Sequence, residues 1–296
     1  MKRILLFMAT NIAILLVISI VGSLLGLDAT LTQQGINYSA LLAWSALFGF
    51  GGSFISLLMS KWMAKRMMGA QVIEQPRNDA EQFLFNTVGN QAKVAGISMP
   101  EVAIFDSPQP NAFATGARRD AALVAVSTGL LRSMDRDEVE AVLGHEISHI
   151  ANGDMVTLTL IQGVLNTFVF FLARVVGFAI DRALSGDRDR GVGFGYFIGV
   201  MLAQVLFGMV ASVIVMWFSR QREFRADAGG AQLAGRGKMI AALEKLKNPR
   251  TEDEMPEQLA AFGISGGRTS RLGEMLMSHP PIEKRIEALK RGGSNA

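Results

Sequence analysis

Cysteine is absent from this chain of 296 residues, and charged residues are few. The lack of cysteine excludes disulfide bonds and thiolate metal ligands. Only 19% of the residues are charged, whereas 50% are hydrophobic, and soluble domains usually carry more charge. The net charge is +3, and without a dense Lys/Arg cluster the sequence predicts no nucleic-acid partner. Long uncharged segments that cross a lipid bilayer would account for the low charge.

Four apolar segments are each long enough to cross a bilayer. They cover about residues 4–27, 38–60, 155–180 and 192–219. The first segment follows two basic residues as a signal peptide does, but its length and the second span favour a retained anchor. Arg174 interrupts the third segment. It therefore stays open whether the third and fourth segments cross fully or act partly as long core helices.

The spans divide the chain into four predicted parts. Residues 1–66 form an N-terminal membrane hairpin, 67–154 a first cytosolic part, 155–219 a second membrane hairpin and 220–296 a second cytosolic part. Within the first cytosolic part, the pattern predicts a surface helix at 81–95 and short strands at 102–105, 112–117 and 122–127.

Basic residues after the spans predict the orientation in the membrane. Lys61, Lys65 and Arg66 follow the second span, and Arg220 and Arg222 follow the fourth. Because basic residues favour the cytosolic side, we expect both termini and both soluble parts in the cytosol.

Only three histidines occur, and two of them, His145 and His149, belong to one H-E-x-x-H motif. Asp135 and Glu138 form a predicted capping box at the start of a helix that carries the motif. Histidines four residues apart leave the same helix face, where they can bind one zinc ion. Glu146 lies between them as a general base. Two ordinary histidines are the alternative, which the rarity of the motif disfavours.

A catalytic zinc ion needs a third protein ligand and an open position for water. Glu223 is the best candidate, because it follows the fourth span closely, as His149 closely precedes the third. If these spans form an antiparallel hairpin, both residues emerge on the same membrane face. The alternative for Glu223 is a solvated charge paired with Arg220 or Arg222.

Two further residues are candidates for supporting roles. Asp227 lies one helical turn after Glu223 and is placed to accept a hydrogen bond from the second ring N–H of His145. His279 is the one remaining histidine, and a candidate donor to a developing oxyanion. The alternatives are an ordinary surface aspartate and a turn histidine before two prolines.

The chain resembles the HtpX family of bacterial membrane zinc proteases, which are related to the prenyl-protein CAAX endopeptidases. The resemblance spans nearly the whole chain and rests on the two pairs of spans and on the sequences at 111–116, 145–149, 223–227 and 278–281. It implies a mainly α membrane protein of four transmembrane helices with a cytosolic, zincin-like α+β metalloprotease domain that carries a small β-sheet. His145, His149 and Glu223 would bind one Zn²⁺ per chain, with Glu146 as the catalytic base.

The same resemblance implies an edge strand for substrate and a role in protein quality control. Asn111, Ala112, Phe113 and Ala114 would bind the backbone of an extended substrate. The implied function is a stress-response endopeptidase of the bacterial cytoplasmic (inner) membrane. It would cleave misfolded or damaged membrane proteins at the cytosolic face by Glu146-assisted attack of zinc-bound water.

Two other functions compete with this interpretation. An intramembrane protease would carry the motif inside a span, whereas charged residues surround it here, five of them between residues 135 and 140. A non-proteolytic membrane scaffold or chaperone with a structural metal is the second alternative. Structural zinc sites are usually closed by four ligands and rich in cysteine, which this chain lacks.

Overall fold

The structure is a computed structural model that describes residues 37–185, 193–247 and 279–292. Its contacts divide the chain into two compact units, one of residues 1–55 and 159–215 and the other of residues 56–158 and 216–296. The first predicted span, residues 4–27, lies outside the described residues.

Eight α-helices and four strands make up the described part of the chain. The helices are α1 (Tyr38–Met67), α2 (Asp79–Val94), α3 (Thr128–Ser133), α4 (Arg136–Asn152), α5 (Asp154–Ser185), α6 (Phe194–Ala234), α7 (Arg236–Lys247) and α8 (Ile282–Arg291). The strands are β1 (Gln71–Val72), β2 (Glu101–Phe105), β3 (Ala112–Thr115) and β4 (Leu123–Ser127).

Three of the described helices, α1, α5 and α6, are long and apolar enough to cross a membrane, by length and composition. The predicted spans 38–60 and 155–180 lie within α1 and α5, and the predicted span 192–219 lies in α6 from Phe194 onward. Each helix continues beyond the end of its span. Arg174 does not interrupt α5, because its Nη1 donates a hydrogen bond to the carbonyl of Phe170 at 3.0 Å within the same helix.

Within the first unit, α1 and α5 pack at short range. A β-carbon at Gly49 would lie 2.4 Å from Oγ1 of Thr167, so only glycine fits there. The ring of Tyr38 meets the ring of Phe171 edge-on, with centroids 5.6 Å apart. Small residues that let helix backbones approach are typical of membrane helix packing.

The second unit contains a mixed four-stranded sheet with the order β1-β2-β4-β3. β2 and β4 are parallel, whereas the two outer pairs are antiparallel. The strands predicted at 102–105, 112–117 and 122–127 are confirmed as β2, β3 and β4. β1 was not expected, since two residues show no alternating pattern. β3 is an edge strand, because β4 is its only strand partner in the described sheet.

The sheet separates two apolar clusters, because alternate side chains of a strand point to opposite faces. Val124 and Val126 join the larger cluster, and Leu123 and Ala125 join the smaller. Helices α2, α4, α7 and α8 supply most of the other members of the larger cluster, including Leu84, Val88, Leu143, Ile147, Met239, Leu243, Ile286 and Leu289. The surface helix expected at 81–95 is confirmed as α2, which buries one face in this cluster and leaves most of its other residues exposed or half-buried.

Candidate metal centre

The H-E-x-x-H motif lies on α4, and local interactions define both ends of this helix. The carboxylate of Asp135 accepts the N–H of Glu138 at 2.9 Å, and Glu138 accepts the N–H of Asp135 at 3.0 Å, which is the predicted capping box. Gly153 ends the helix in the left-handed region, with φ 68° and ψ 37°. One continuous helix thus holds the Nε2 atoms of His145 and His149 3.1 Å apart.

Helix α6 brings Glu223 to both histidines. Its Oε2 lies 3.5 Å from Nε2 of His145, and its Oε1 lies 3.3 Å from Nε2 of His149. Gly230 allows this approach, since a β-carbon there would lie only 3.0 Å from the backbone nitrogen of His145. The structure therefore brings the three candidate ligands together at one point.

The geometry of these three side chains fits a zinc ion. Their ligand atoms all lie within 4.8 Å of one another. The Nε2 atoms of His145 and His149 are 3.1 Å apart, close to the roughly 3.3–3.4 Å that separates two ligands of a tetrahedral zinc bound at about 2.0–2.1 Å. The two oxygens of Glu223 each face one of these nitrogens, at 3.3 and 3.5 Å. Oε1 of the fully buried Glu223 accepts no hydrogen bond from any described residue. A buried carboxylate oxygen without a donor is costly unless a cation satisfies it.

Each histidine ring contacts a second carboxylate on the side away from the ligand cluster. Nδ1 of His145 lies 2.9 Å from Oδ1 of Asp227, and Nδ1 of His149 lies 2.7 Å from Oδ2 of Asp154. Both aspartates are buried. The sequence reasoning did not identify Asp154 as a residue of this site.

Arg285 is a second residue that sequence reasoning missed. It lies on α8, where its Nε and Nη2 donate to the two carboxylate oxygens of Asp227 at 2.8 and 2.6 Å. Its Nη1 is 3.8 Å from Oε2 of Glu223. No local pattern links Arg285 to a residue 58 positions away, so only the folded chain reveals the contact.

Glu146 and His279 lie beside the ligand cluster. Glu146 is half-buried on α4, and its charge acts on both neighbouring histidines. Nδ1 of His279 is 2.8 Å from Oε2 of Glu223, and its side chain is 60% exposed. All three histidines of the chain therefore lie at one site, and the exposed ring is accessible to a bound substrate.

Burial and the surrounding carboxylates act in opposite directions on the two buried histidines. Burial lowers the pKa of His149, but the nearby carboxylates of Asp154 and Glu223 outweigh burial and raise the pKa to about 9. Burial also lowers the pKa of His145, and hydrogen bonds with two carboxylates raise it above its ordinary value of 6.5. The site is therefore electronegative and favours a cation.

The edge strand β3 lies beside α4 and contains three of the four residues predicted to bind substrate. Ala112, Phe113 and Ala114 pair with β4 in antiparallel register. Asn111 precedes the strand, and its N–H donates to Oγ of Ser127 at 2.9 Å. The second edge of β3 has no strand partner in the described sheet, so an extended peptide can pair there.

Known proteins resemble this chain over nearly its whole length. Residues 79–292 match peptidase family M48. The chain is 62% identical over 292 residues to Protease HtpX of Thioalkalivibrio sulfidiphilus, covering 98% of this chain and 99% of that one. It is 59% identical over 292 residues to the Protease HtpX homolog of Nitrosomonas europaea, with the same coverage.

A solved structure shares the fold. The crystal structure of S. mikatae Ste24p matches with a TM-score of 0.62 at 20% identity, over 93% of this chain and 66% of that chain. Together with the sequence matches, this confirms the resemblance that the motifs indicated. The chain belongs to peptidase family M48 and is a metalloprotease.

Proposed function

We propose that this protein is a zinc endopeptidase of the bacterial cytoplasmic membrane. Its active site would face the cytosol and cleave misfolded or damaged membrane proteins. The arrangement of His145, His149 and Glu223 carries this proposal, because one ligand atom from each of these buried side chains lies within 4.8 Å of the others and the three are a common ligand set for catalytic zinc. Three protein ligands leave one position open, as catalytic zinc sites do.

The residues around the cluster supply the proposed chemistry. Zn²⁺ held by the three ligands would act as a Lewis acid towards the peptide carbonyl and towards water. Glu146 would take a proton from the attacking water as the new C–O bond forms. It would then pass this proton to the leaving nitrogen as the C–N bond breaks. The exposed ring of His279 would donate a hydrogen bond to the oxyanion.

The edge strand β3 would hold the substrate in an extended conformation. Backbone hydrogen bonds along Asn111, Ala112, Phe113 and Ala114 would add the substrate to the sheet as a further strand. Because backbone groups are common to all peptides, this mode of binding suits an enzyme with many damaged substrates.

The proposed membrane arrangement has four spans with both termini in the cytosol. Three helices of suitable length and composition support it; the fourth would be residues 4–27. The chain contains no cysteine, so single cysteines can be introduced without removing native ones. We expect Asp79→Cys to react with an impermeant maleimide only after the cells are opened. Labelling of Asp79→Cys in intact spheroplasts would contradict a cytosolic active site.

Replacement of the proposed base tests the mechanism. Full-length protein in detergent would be incubated with β-casein, and bound zinc would be quantified in each variant. We expect Glu146→Gln to retain zinc and lose at least about 100-fold in cleavage rate, whereas Glu140→Gln on the same helix retains activity. Equal cleavage by Glu146→Gln would exclude this mechanism. Zinc without any cleavage by the wild type would favour a scaffold or chaperone with a structural metal.

A further inference from the structure

The imidazole of His149 lies between the ligand cluster and a carboxylate that has no role in the proposed chemistry. Its Nε2 faces Oε1 of Glu223 at 3.3 Å. Its Nδ1, on the opposite side of the ring, is 2.7 Å from Oδ2 of Asp154. The ring is buried, with 8% of its side chain exposed. One imidazole therefore links Asp154 directly to the point where the ligand atoms meet.

The backbone explains why Asp154 can reach this ring. Helix α4 ends at Asn152, and Gly153 adopts a left-handed conformation that redirects the chain. Asp154 is the first residue of the next helix, α5. This turn brings its carboxylate back to His149, five positions earlier in sequence. Only 2% of the Asp154 side chain is exposed, so water does not compete for its oxygens.

The contacts of Asp154 indicate more than an ordinary helix start. The helix dipole stabilises a carboxylate in the first turn of a helix even when its side chain makes no specific contact. Asp79 at the start of α2 is an exposed example. Asp154 instead is buried. Its Oδ1 also lies 3.6 Å from Nη2 of Arg225, which is a longer contact. The short contact to Nδ1 of His149 is therefore its main specific interaction.

A hydrogen bond at Nδ1 determines how a neutral histidine can bind a metal. When Nδ1 carries the proton and donates it to a carboxylate, the lone pair lies on Nε2. The same hydrogen bond fixes the ring orientation and raises the basicity of the ligand nitrogen. In His149 the nitrogen that faces the cluster is Nε2, so the geometry matches this arrangement.

We propose that Asp154 is a positioning residue for the metal site, which holds His149 in the tautomer and orientation that direct Nε2 at the bound ion. This inference rests on the proposed zinc site and adds a residue to it. Asp227 would do the same for His145, but it is shared with Arg285. Asp154 acts from the first residue of a helix that is apolar enough to span a membrane, so this helix would directly support a metal ligand.

Two substitutions separate positioning from helix formation. Asp154→Ser keeps a residue that is favourable at a helix N-terminus, but its hydroxyl is too short to reach the ring. Asp154→Asn keeps an acceptor oxygen at the same length without the charge. We expect zinc affinity, measured on the full-length protein by competition with a chromophoric chelator, to fall about 10- to 100-fold for Asp154→Ser. The zinc affinity of Asp154→Asn should lie between that of Asp154→Ser and that of the wild type.

Two further measurements make the test specific. The visible spectrum of the Co²⁺-loaded protein should change in Asp154→Ser, because the ligand field depends on the orientation of His149. The exposed Asp79→Asn, which loses the same charge at a helix start, should keep wild-type affinity and spectrum. If Asp154→Ser fails to fold, Asp154→Asn decides the question through the same two readouts.

The outcomes distinguish this inference from the proposed function. Wild-type zinc affinity and an unchanged cobalt spectrum in a folded Asp154→Ser or Asp154→Asn would overturn the positioning role and leave the zinc peptidase intact. A wild type that binds neither zinc nor cobalt would overturn the zinc site itself, and the positioning role with it.

Discussion

Arg285 holds Asp227 by two hydrogen bonds, from Nε at 2.8 Å and from Nη2 at 2.6 Å. Both side chains are buried. The pair joins α8, the last described helix, to α6, which carries Glu223. A guanidinium can bind both oxygens of a carboxylate at once, whereas an ammonium group cannot.

Replacement of this arginine should destabilise the protein strongly. We expect Arg285→Met to lower the free energy of unfolding by about 3–5 kcal/mol, because it leaves the charge of Asp227 buried without its partner. The free energy of unfolding of Arg285→Lys should lie between the values for Arg285→Met and the wild type. Denaturant unfolding in detergent measures the effect. Arg291→Met, on the exposed end of α8, is the control and should change stability by less than about 0.5 kcal/mol. Equal stability of the two methionine variants would contradict the expectation.

His279 should affect catalysis without changing metal content. If its ring donates to the oxyanion, we expect His279→Ala to lower kcat by about 100- to 1000-fold with little change in KM. Bound zinc should remain, because all three ligands of the cluster are intact. Single-turnover cleavage together with zinc analysis measures both quantities. Loss of zinc would instead indicate that the contact with Glu223 mainly orients that ligand.

Gly153 should tolerate no side chain. Its φ of 68° is unfavourable for residues with a β-carbon, so we expect Gly153→Ala to cost about 1–2 kcal/mol of stability. The variant should also bind zinc more weakly, since the turn places Asp154. Gly237 in α7 provides a matched control, because a β-carbon there meets nothing within 4 Å. Gly237→Ala should be neutral or stabilising by up to about 1 kcal/mol. A Gly153→Ala variant as stable as Gly237→Ala would show that the turn is not strained.

Glu101 should produce a pH-dependent contribution to stability. Its carboxylate lies 3.0 Å from Nζ of Lys61 and 2.5 Å from Nζ of Lys65. Burial raises its pKa, but the two lysines reverse this and hold it below 4.5. Because 40% of the side chain is exposed, solvent screens the pairs, and Glu101→Gln should cost no more than about 1 kcal/mol at pH 7.

The sign of this dependence follows from linkage. A carboxylate whose folded pKa is lowered stabilises the fold above its unfolded pKa and loses this contribution as the pH falls through the folded pKa. The stability difference between wild type and Glu101→Gln should therefore be full at pH 7 and shrink below pH 4.5. Parallel unfolding curves of both proteins at several pH values measure it, and a difference that grows on acidification would contradict the assignment.

The elements with strong local signals could be predicted from the sequence. The capping box at Asp135 and the glycine at 153 define α4 through contacts between neighbours, so no long-range knowledge was needed. The apolar segments 38–60 and 155–180, and the segment 192–219 from Phe194 onward, lie in long helices because length and composition determine them. β1 was missed because its two residues form a strand only through pairing with β2.

The residues of the candidate site also differ in whether the sequence carries a signal for them. His145 and His149 form a local motif, and the span arrangement pointed to Glu223. Arg285 gave no signal, because an isolated arginine on a helix is usually solvated and its partner is distant in sequence. Asp154 was close to the motif, but α-helical periodicity does not apply across a left-handed turn. Prediction therefore succeeded where a local motif or the order of the spans indicated a residue, and it failed for Asp154 and Arg285, for which neither signal exists.

Glu223 lies a short distance along α6 from two exposed apolar side chains. Trp217 and Phe218 are 50% and 40% exposed, as expected of residues in contact with lipid near an interface. Glu223 follows Phe218 by five positions, which is about 7.5 Å along the helix axis. An extended peptide covers this distance with about two or three residues, at roughly 3.3 Å each. A membrane-anchored substrate could therefore be cut close to its own span, whereas a cleavage point far from any membrane segment would first have to approach the lipid headgroups.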